Sequence, residues 1–311
     1  MMMLKTDTWT RLATRGLAIL FALSAMSAPA TAAMIDVVDD SWVDGDRTNG
    51  ADPLDTDWWA STTSSAIEVT IGPPNSLGLV TGTSGRGIHG TFASQALVNV
   101  GDTLTATFTF TTPATIGGGS AAYKIGLFNS NGSDLAQDIS ASSGSPNALY
   151  NPVEGYMMDY DVNTSTENIQ FRVRSAVSGQ LLATTGDYTP VSSGGDPYTL
   201  APGTTYTGVF SIAKAAAGLD LSGSLSDGAG LLSTYSTSDP TGTIGSLDVL
   251  AFHANSRIFG STNASGDPDN GIEFSNIKIE FTRVPEPAAA ALTAMALAAA
   301  AAYGGARRQR K

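Results

Sequence analysis

Alternation of apolar and polar residues with a period of two is the feature that most constrains the fold of this chain. In residues 104–110 threonine occupies every second position, and leucine, alanine or phenylalanine occupies the others. Residues 272–281 alternate in the same way over ten positions. Such alternation, with many β-branched and aromatic residues, is typical of a strand with one buried face. We therefore predict an all-β domain.

Further alternating runs are separated by clusters of Gly, Pro, Ser and Asn. They are residues 67–71, 123–128, 155–162, 169–174, 206–212, 219–225 and 247–253. About a dozen strands at this spacing predict two packed antiparallel sheets. The expected fold is a two-sheet β-sandwich over residues 34–283, with an immunoglobulin-like pair of smaller sandwiches as the alternative. Because chain termini often lie close together, we expect the last strand to pair with the first, near residues 35–42.

Composition excludes several classes of function. The sequence has no cysteine, which excludes thiol catalysis, thiolate metal sites and disulfides. About 250 residues between the two termini are enough to form a large core without disulfides. The formal net charge is −12 and the sequence pI is near 4.4. An acidic surface repels phosphate backbones, so we expect no nucleic-acid partner.

The N-terminus has the layout of a secretory signal peptide. Lys5, Arg11 and Arg15 precede a short apolar run at residues 17–23, and small residues follow up to Ala33. A charged region, a short apolar region and a small-residue exit define such peptides. We predict that residues 1–33 are a signal peptide cut near Ala33 by signal peptidase, and that the rest of the chain is exported.

The C-terminus, residues 284–311, has the layout of a membrane-spanning tail. A Val-Pro-Glu-Pro sequence at residues 284–287 is followed by an alanine-rich apolar run at residues 288–303 and by a final basic cluster. With its glycines the apolar run is long enough for a helix of about 28 Å, close to the hydrocarbon thickness of a bilayer. A basic cluster keeps its end in the cytoplasm. This tail is therefore predicted to span a membrane.

The order of these three parts resembles the PEP-CTERM sorting domain of Gram-negative bacteria. The resemblance implies that an exosortase, a membrane-embedded cysteine transpeptidase, recognises and cleaves the tail. It also implies passage through the inner membrane and a final location at the cell envelope or outside the cell. The arrangement of strands looks like the concanavalin-like jelly-roll ectodomains of many such proteins. The residues that the resemblance assigns to sorting are Val284, Pro285, Glu286, Pro287, Arg307 and Arg308.

Two acidic segments are candidates for binding calcium, although the sequence predicts no required cofactor. Asp44 and Asp46 supply carboxylates at alternate positions, and Asp267 and Asp269 flank a proline in a tight loop. Hard oxygen ligands of this kind suit Ca²⁺. The alternatives are a solvated acidic loop at the first segment and an ordinary Asp-Pro and Asn-Gly turn at the second.

No catalytic residue is predicted. The two histidines, His89 and His253, lie far apart in sequence, and no Gly-x-Ser-x-Gly elbow is present. His89 is expected in a loop and His253 on a strand, both with structural or surface roles. Glycoside hydrolysis needs two facing carboxylates. Alternation places Glu154 and Asp159 on opposite faces of their strand, and only Asp159 and Asp161 on the same one.

The function predicted from sequence is a non-enzymatic, exported surface or matrix protein associated with polysaccharide. The alternative is a secreted glycan-active enzyme, a hydrolase or lyase, on the same scaffold. Aromatic rings and amides are the groups expected to contact a sugar. The candidates are Trp58, Trp59, Tyr156, Tyr160, Tyr188, Tyr198 and Asn163.

Overall fold

The computed structural model describes residues 32–48, 54–63, 67–70, 75–81, 84–117, 122–141, 145–162, 169–256, 258–259 and 271–285. The predicted signal peptide lies almost wholly outside this range. The sorting tail from Glu286 onward, including Pro287, Arg307 and Arg308, is also outside it. So are Asp267, Asp269 and Asn163. The predictions on those residues stay predictions.

Fifteen strands account for most of the described residues. They are β1 (Ala33–Asp40), β2 (Trp58–Ala60), β3 (Ile67–Thr70), β4 (Ser76–Val80), β5 (Arg86–Ala96), β6 (Thr103–Thr111), β7 (Ala122–Asn129), β8 (Glu154–Asp161), β9 (Ile169–Arg174), β10 (Tyr188–Gly194), β11 (Thr205–Lys214), β12 (Leu219–Asp227), β13 (Gly230–Asp239), β14 (Ser246–Ala254) and β15 (Gly271–Arg283). A single 3₁₀ turn, Ala148–Tyr150, is the one helical element within the described residues. The part of the chain that the structure describes holds no helix with the length and hydrophobicity needed to cross a bilayer.

The strands form two antiparallel sheets. The eight-stranded sheet has the order β13-β12-β11-β6-β15-β4-β3, with β1 also pairing with β15. The seven-stranded sheet has the order β10-β9-β8-β7-β14-β5-β2. Residues Met34–Arg283 form one compact unit. The predicted two-sheet sandwich is confirmed. The alternative of two smaller sandwiches is wrong, because each sheet combines strands from both halves of the chain.

Alternation along each strand fills the space between the sheets. In β6, Leu104, Ala106, Phe108 and Phe110 are buried, while the threonines between them face outward. Phe108 meets Phe252 of the opposite sheet with ring centroids 5.2 Å apart. Burying one such ring stabilises the fold by about 1.5–3 kcal/mol. The core is therefore a layer of aromatic and aliphatic side chains between the two sheets.

The last strand is held on both sides. β15 pairs with β6 along one edge and with β4 and β1 along the other, which confirms the predicted pairing of the first and last strands. The Asn276 amide donates a hydrogen bond to Asp39 Oδ1 at 2.9 Å, and Lys278 Nζ lies 3.0 Å from Asp36 Oδ1. These contacts tie β1 to β15 just before the tail begins.

Several strands escaped the sequence prediction. β5 includes His89, which was predicted to lie in a loop, and that prediction is wrong. Residues 87–90 are buried whether they face the core or the opposite side of the sheet, so no alternation is visible there. The short strands β2 and β4 and the outermost strands β10 and β13 also lack a clear period of two.

Candidate functional site

A row of four polar residues crosses the outer face of the seven-stranded sheet. His253 on β14 is the register partner of Lys124 on β7, Lys124 is the partner of Asp159 on β8, and Asp159 is the partner of Gln170 on β9. Their neighbours along each strand, such as Phe252 and Tyr123, belong to the core. Because directly paired residues share a face, these four side chains point away from the core in one line. We call them the polar row.

The polar row is largely buried by a loop that crosses it. Lys124 is 2 % exposed and His253 is 3 % exposed. Lys124 Nζ donates a hydrogen bond to the carbonyl oxygen of Leu182 at 3.1 Å. Asp159 Oδ1 and His253 Nδ1 are buried and have no hydrogen-bond partner among the described residues. The two strands on either side of β7 thus carry unsatisfied polar atoms next to the buried amine of Lys124.

Burial shifts the pKa of every titratable member of the row. It lowers the pKa of His253 well below its ordinary value, and the nearby cations Lys124 and Arg86 lower it further. It raises the pKa of Asp159 to about 7, although Lys124 and Arg172 oppose that shift. Burial also lowers the pKa of Lys124, with Asp159 acting in the other direction. His253 is therefore neutral at pH 7, and Asp159 titrates close to neutrality.

An open pocket of about 540 Å³ adjoins His253 at one end of the row. Hydroxyl, amide and guanidinium groups form most of its lining, and none of its twelve lining residues is Asp or Glu. The polar groups belong to Thr62, Thr63, Ser84, Arg86, Gln180, Thr184, His253, Asn255 and Ser256. We call this space the His253 pocket.

Two glycines make room for the imidazole beside the pocket. A Cβ atom on Gly85 would lie 2.8 Å from His253 Cε1, and one on Gly87 would lie 3.2 Å from His253 Cδ2. Contacts under about 3 Å are not sustained without a shift. Gly87 is also the register partner of His253 across β5 and β14. Gly85, just before β5, and Gly87 within it therefore leave the space that the His253 imidazole occupies.

A second apolar cluster covers the rest of this face. Segments 130–141, 145–153 and 175–187 place Leu135, Tyr150 and Leu181 over Met157 and Val249 of the sheet. His89 lies within this cover, with Nε2 2.8 Å from the carbonyl oxygen of Leu135, and burial lowers its pKa to about 4. His89 is a structural residue, as predicted, and the cover leaves the His253 pocket open at its margin.

The aromatic residues predicted to contact sugar do not form a binding surface. Trp58, Tyr156 and Tyr160 are fully buried, and Tyr188 and Tyr198 are nearly so. Their polar atoms have partners within the fold, for example the indole N–H of Trp58, which donates to Asp40 Oδ2 at 2.8 Å. That prediction is wrong for these five residues. Trp59 is half-buried, and the Arg47 guanidinium lies 5.8 Å from its ring centroid.

The Asp44–Asp46 segment is a turn stabilised by its own carboxylates. Asp46 Oδ1 accepts hydrogen bonds from the backbone N–H groups of Arg47 and Thr48, and Asp44 Oδ1 accepts one from the N–H of Asp46. No group of three or more metal-ligating side chains occurs within the described ranges. This geometry does not support calcium binding by Asp44 and Asp46. Asp267 and Asp269 lie outside the described residues, so the prediction for them stays a prediction.

Sequence reasoning singled out Asp159 and His253 without bringing them together. The structure adds Lys124, Gln170 and Arg86 to the same region. For Lys124 the available signal was a charged residue within the otherwise apolar residues 123–128, whereas Gln170 and Arg86 carry no such local signal. Glu154 is exposed at the end of β8 and Asp159 faces the other side, as the alternation predicted.

No protein-family model matches this sequence, and no curated protein is similar to it at a significant level. The search of solved structures finds legume lectins. The peanut lectin with a 9-mer peptide is 9% identical, covers 83% of this chain and 100% of its own, and has a TM-score of 0.48. The basic winged bean lectin with Tn-antigen is 10% identical, covers 82% of this chain and 100% of its own, and has a TM-score of 0.46.

A third structure, the lectin UEA-II complexed with galactose, is 9% identical and has a TM-score of 0.42. It covers 82% of this chain and 99% of its own. TM-scores below 0.5 at such identities establish neither common ancestry nor a shared ligand. The described residues themselves define a two-sheet antiparallel β-sandwich with a polar pocket at the outer face of its seven-stranded sheet.

Proposed function

We propose that this chain is an exported, non-enzymatic protein of the cell surface or extracellular matrix, and that it binds polysaccharide in the His253 pocket. The concanavalin-like jelly-roll type predicted from the sequence is part of this proposal. Signal peptidase and an exosortase are its proposed processing partners, and no cofactor is required.

The observation that carries the binding proposal is the chemistry of the pocket. Its hydroxyl and amide groups both donate and accept hydrogen bonds, as sugar hydroxyls do. His253 Nδ1 is buried at its edge without a partner. A buried polar atom left unpaired costs about 1–3 kcal/mol. This atom is closed to solvent, so the side chains at the pocket edge would have to shift before a sugar hydroxyl could pair with it, and the hydroxyl and amide groups of the pocket lining supply the direct contacts.

The described residues that line the pocket include no acidic group, which favours a binding role over hydrolysis. Two carboxylates must flank a glycosidic bond for its hydrolysis. The nearest buried carboxylate of the row, Asp159, is separated from His253 by Lys124. The pocket therefore offers recognition without an acid and base pair.

One observation favours the alternative of a glycan-active enzyme. Asp159 has a pKa of about 7, which suits a general acid at neutral pH. Release of reducing ends from a polysaccharide by the wild-type domain, and its loss in Asp159→Asn, would favour the enzyme. Binding without turnover would favour the binder.

Export and tail processing rest on the sequence of the two termini. β15 ends at Arg283, so cleavage in the Pro-Glu-Pro motif would remove no residue of the sandwich. The C-terminal mass of the exported protein tests this part of the proposal.

A glycan array tests the binding proposal directly. Gly85→Val would push a branched side chain against His253 and into the pocket, whereas Gly245→Val adds the same group where nothing lies within 4 Å. We expect the wild-type domain and Gly245→Val to bind the same glycans, and Gly85→Val to lose them while still unfolding cooperatively, at a lower midpoint because the buried imidazole must shift. Unchanged binding by Gly85→Val would contradict the pocket assignment. No binding by the wild type to any glycan would contradict the function.

A further inference from the structure

Positive charge is unevenly distributed in this acidic domain. Residues 34–283 contain nine Lys and Arg against 26 Asp and Glu. Four of the nine lie on strands of the seven-stranded sheet, at its outer face or at the His253 pocket: Arg86, Lys124, Arg172 and Arg174. Such a concentration within a domain that otherwise repels anions marks this region as the place where an anionic group would be accepted.

Three of these four cations already have partners. Lys124 donates to Leu182 and faces Asp159. Arg172 donates to Gln170, and Arg174 donates to the carbonyl oxygen of Gln180 at 2.8 Å and lies 3.9 Å from Asp187. None of these three residues lines the His253 pocket.

Arg86 differs from the other three. It is half-buried and is the one of the four that lines the pocket; like Lys124 and Arg172, it has no carboxylate within ion-pair distance among the described residues. Among the described residues its one hydrogen bond is from Nη1 to the carbonyl oxygen of Gly85 at 3.2 Å. Its other guanidinium N–H groups have no partner within that part of the chain. A guanidinium presents donors in a planar fork that matches a carboxylate.

On the basis of the proposed polysaccharide-binding function, we propose that the ligand is an acidic polysaccharide containing uronic acid. Arg86 pairs with the uronate carboxylate, and hydroxyl and amide groups of the pocket lining exchange hydrogen bonds with hydroxyls of the same or the next sugar. A neutral polysaccharide would leave the guanidinium without a counterion in a half-buried site.

The acidic remainder of the domain does not prevent this contact. At physiological ionic strength charges are screened over about 8 Å. Repulsion from carboxylates elsewhere on the surface is therefore weak at the pocket, whereas Arg86 acts at contact distance. The lining residues that the structure describes include no acidic side chain to oppose it.

Calorimetry with the wild-type domain tests the proposal. The probes are trisaccharides of galacturonate, glucuronate and mannuronate, the methyl ester of each, a neutral trisaccharide of glucose and a sulfated trisaccharide of galactose. We expect at least one uronate to bind about tenfold or more tightly than its methyl ester, as a charge-assisted hydrogen bond warrants. In Arg86→Gln that preference should disappear, and in Arg86→Lys part of it should remain.

Lys214→Gln removes one positive charge from the other sheet and serves as the matched control, with the preference unchanged. Equal affinity for a uronate and its methyl ester would contradict the proposal of an acidic ligand, while the proposed polysaccharide binding would still hold. Tighter binding of the sulfated sugar than of every uronate would contradict the proposal that the recognised anionic group is a carboxylate. A preference that survives in Arg86→Gln would overturn the assignment to Arg86. No binding of any probe, together with no binding on the glycan array, would overturn the proposed function itself.

Discussion

Lys124 and Asp159 are direct register partners across β7 and β8, on the face of the seven-stranded sheet that points away from the core. The pKa of each is shifted in the direction that burial imposes, downward for Lys124 and upward to about 7 for Asp159. Burial therefore outweighs their mutual attraction. Such a pair contributes little net stability but is costly to break, because one partner is then left buried alone.

Replacing Lys124 with Met should destabilise the domain in a pH-dependent way. At pH 8 the ionised Asp159 would lose its nearest cation, and we expect a loss of about 3 kcal/mol in the free energy of unfolding. At pH 5 Asp159 is protonated, so the loss should be smaller. Urea unfolding at the two pH values measures the difference, with Lys214→Met as the control. An equal loss at both pH values would contradict the pairing.

Asp159 should also give the wild-type domain a characteristic pH dependence. Its pKa is about 7 in the folded state against an ordinary value of 3.8, so the folded state binds more protons between these pH values. The free energy of unfolding should therefore fall as pH rises from about 4 to about 7. Asp40, with a pKa of about 6, contributes with the same sign. In Asp159→Asn the fall should be shallower than in the wild type. If the free energy of unfolding changed with pH in the same way in both proteins, the raised pKa of Asp159 would be contradicted.

Asp40 should be essential to the tryptophan cluster near β1. Its carboxylate accepts hydrogen bonds from the indole N–H of Trp58 at 2.8 Å and the backbone N–H of Trp42 at 3.0 Å. Asp40→Ala would leave both buried donors unpaired, so we expect a loss of about 2 kcal/mol and a changed tryptophan fluorescence. Asp44→Ala, on the exposed turn, should change stability by less than about 0.5 kcal/mol. Similar effects of the two substitutions would count against this role.

Gly155 on β8 should not tolerate a side chain. A Cβ atom there would lie 2.3 Å from the carbonyl oxygen of Leu127, which is backbone and cannot move aside cheaply. We expect Gly155→Ala to cost about 2 kcal/mol in thermal unfolding. Gly228→Ala adds the same atom in open space and should be close to neutral. Equal melting temperatures for the two variants would show that the strands separate more easily than the structure implies.

Much of the fold could be predicted from the sequence because one face of many strands is buried and the other is not. β6, β9 and β15 follow that rule, and their period of two located them within a few residues. β5 breaks the rule because a cover of loops buries its outer face as well. The same cover hides His89, which accounts for its wrong assignment to a loop.

The candidate site was less predictable than the fold. The His253 pocket unites residues from segments 62–63, 84–86, 180–184 and 253–256, whose proximity depends on the pairing of β5 with β14 and on the path of a loop. No local pattern encodes that path. The aromatic residues were misassigned because a ring that suits a sugar also suits a core, and alternation placed Tyr156 and Tyr160 in the core.

The most direct test of the account as a whole is the intact mass of the exported protein from cells with and without an exosortase. The account predicts loss of the N-terminal residues up to about Ala33 in both, and loss of the tail from the Pro-Glu-Pro motif onward only where the exosortase is present. A protein that still ends at Lys311 in the presence of the exosortase would contradict it.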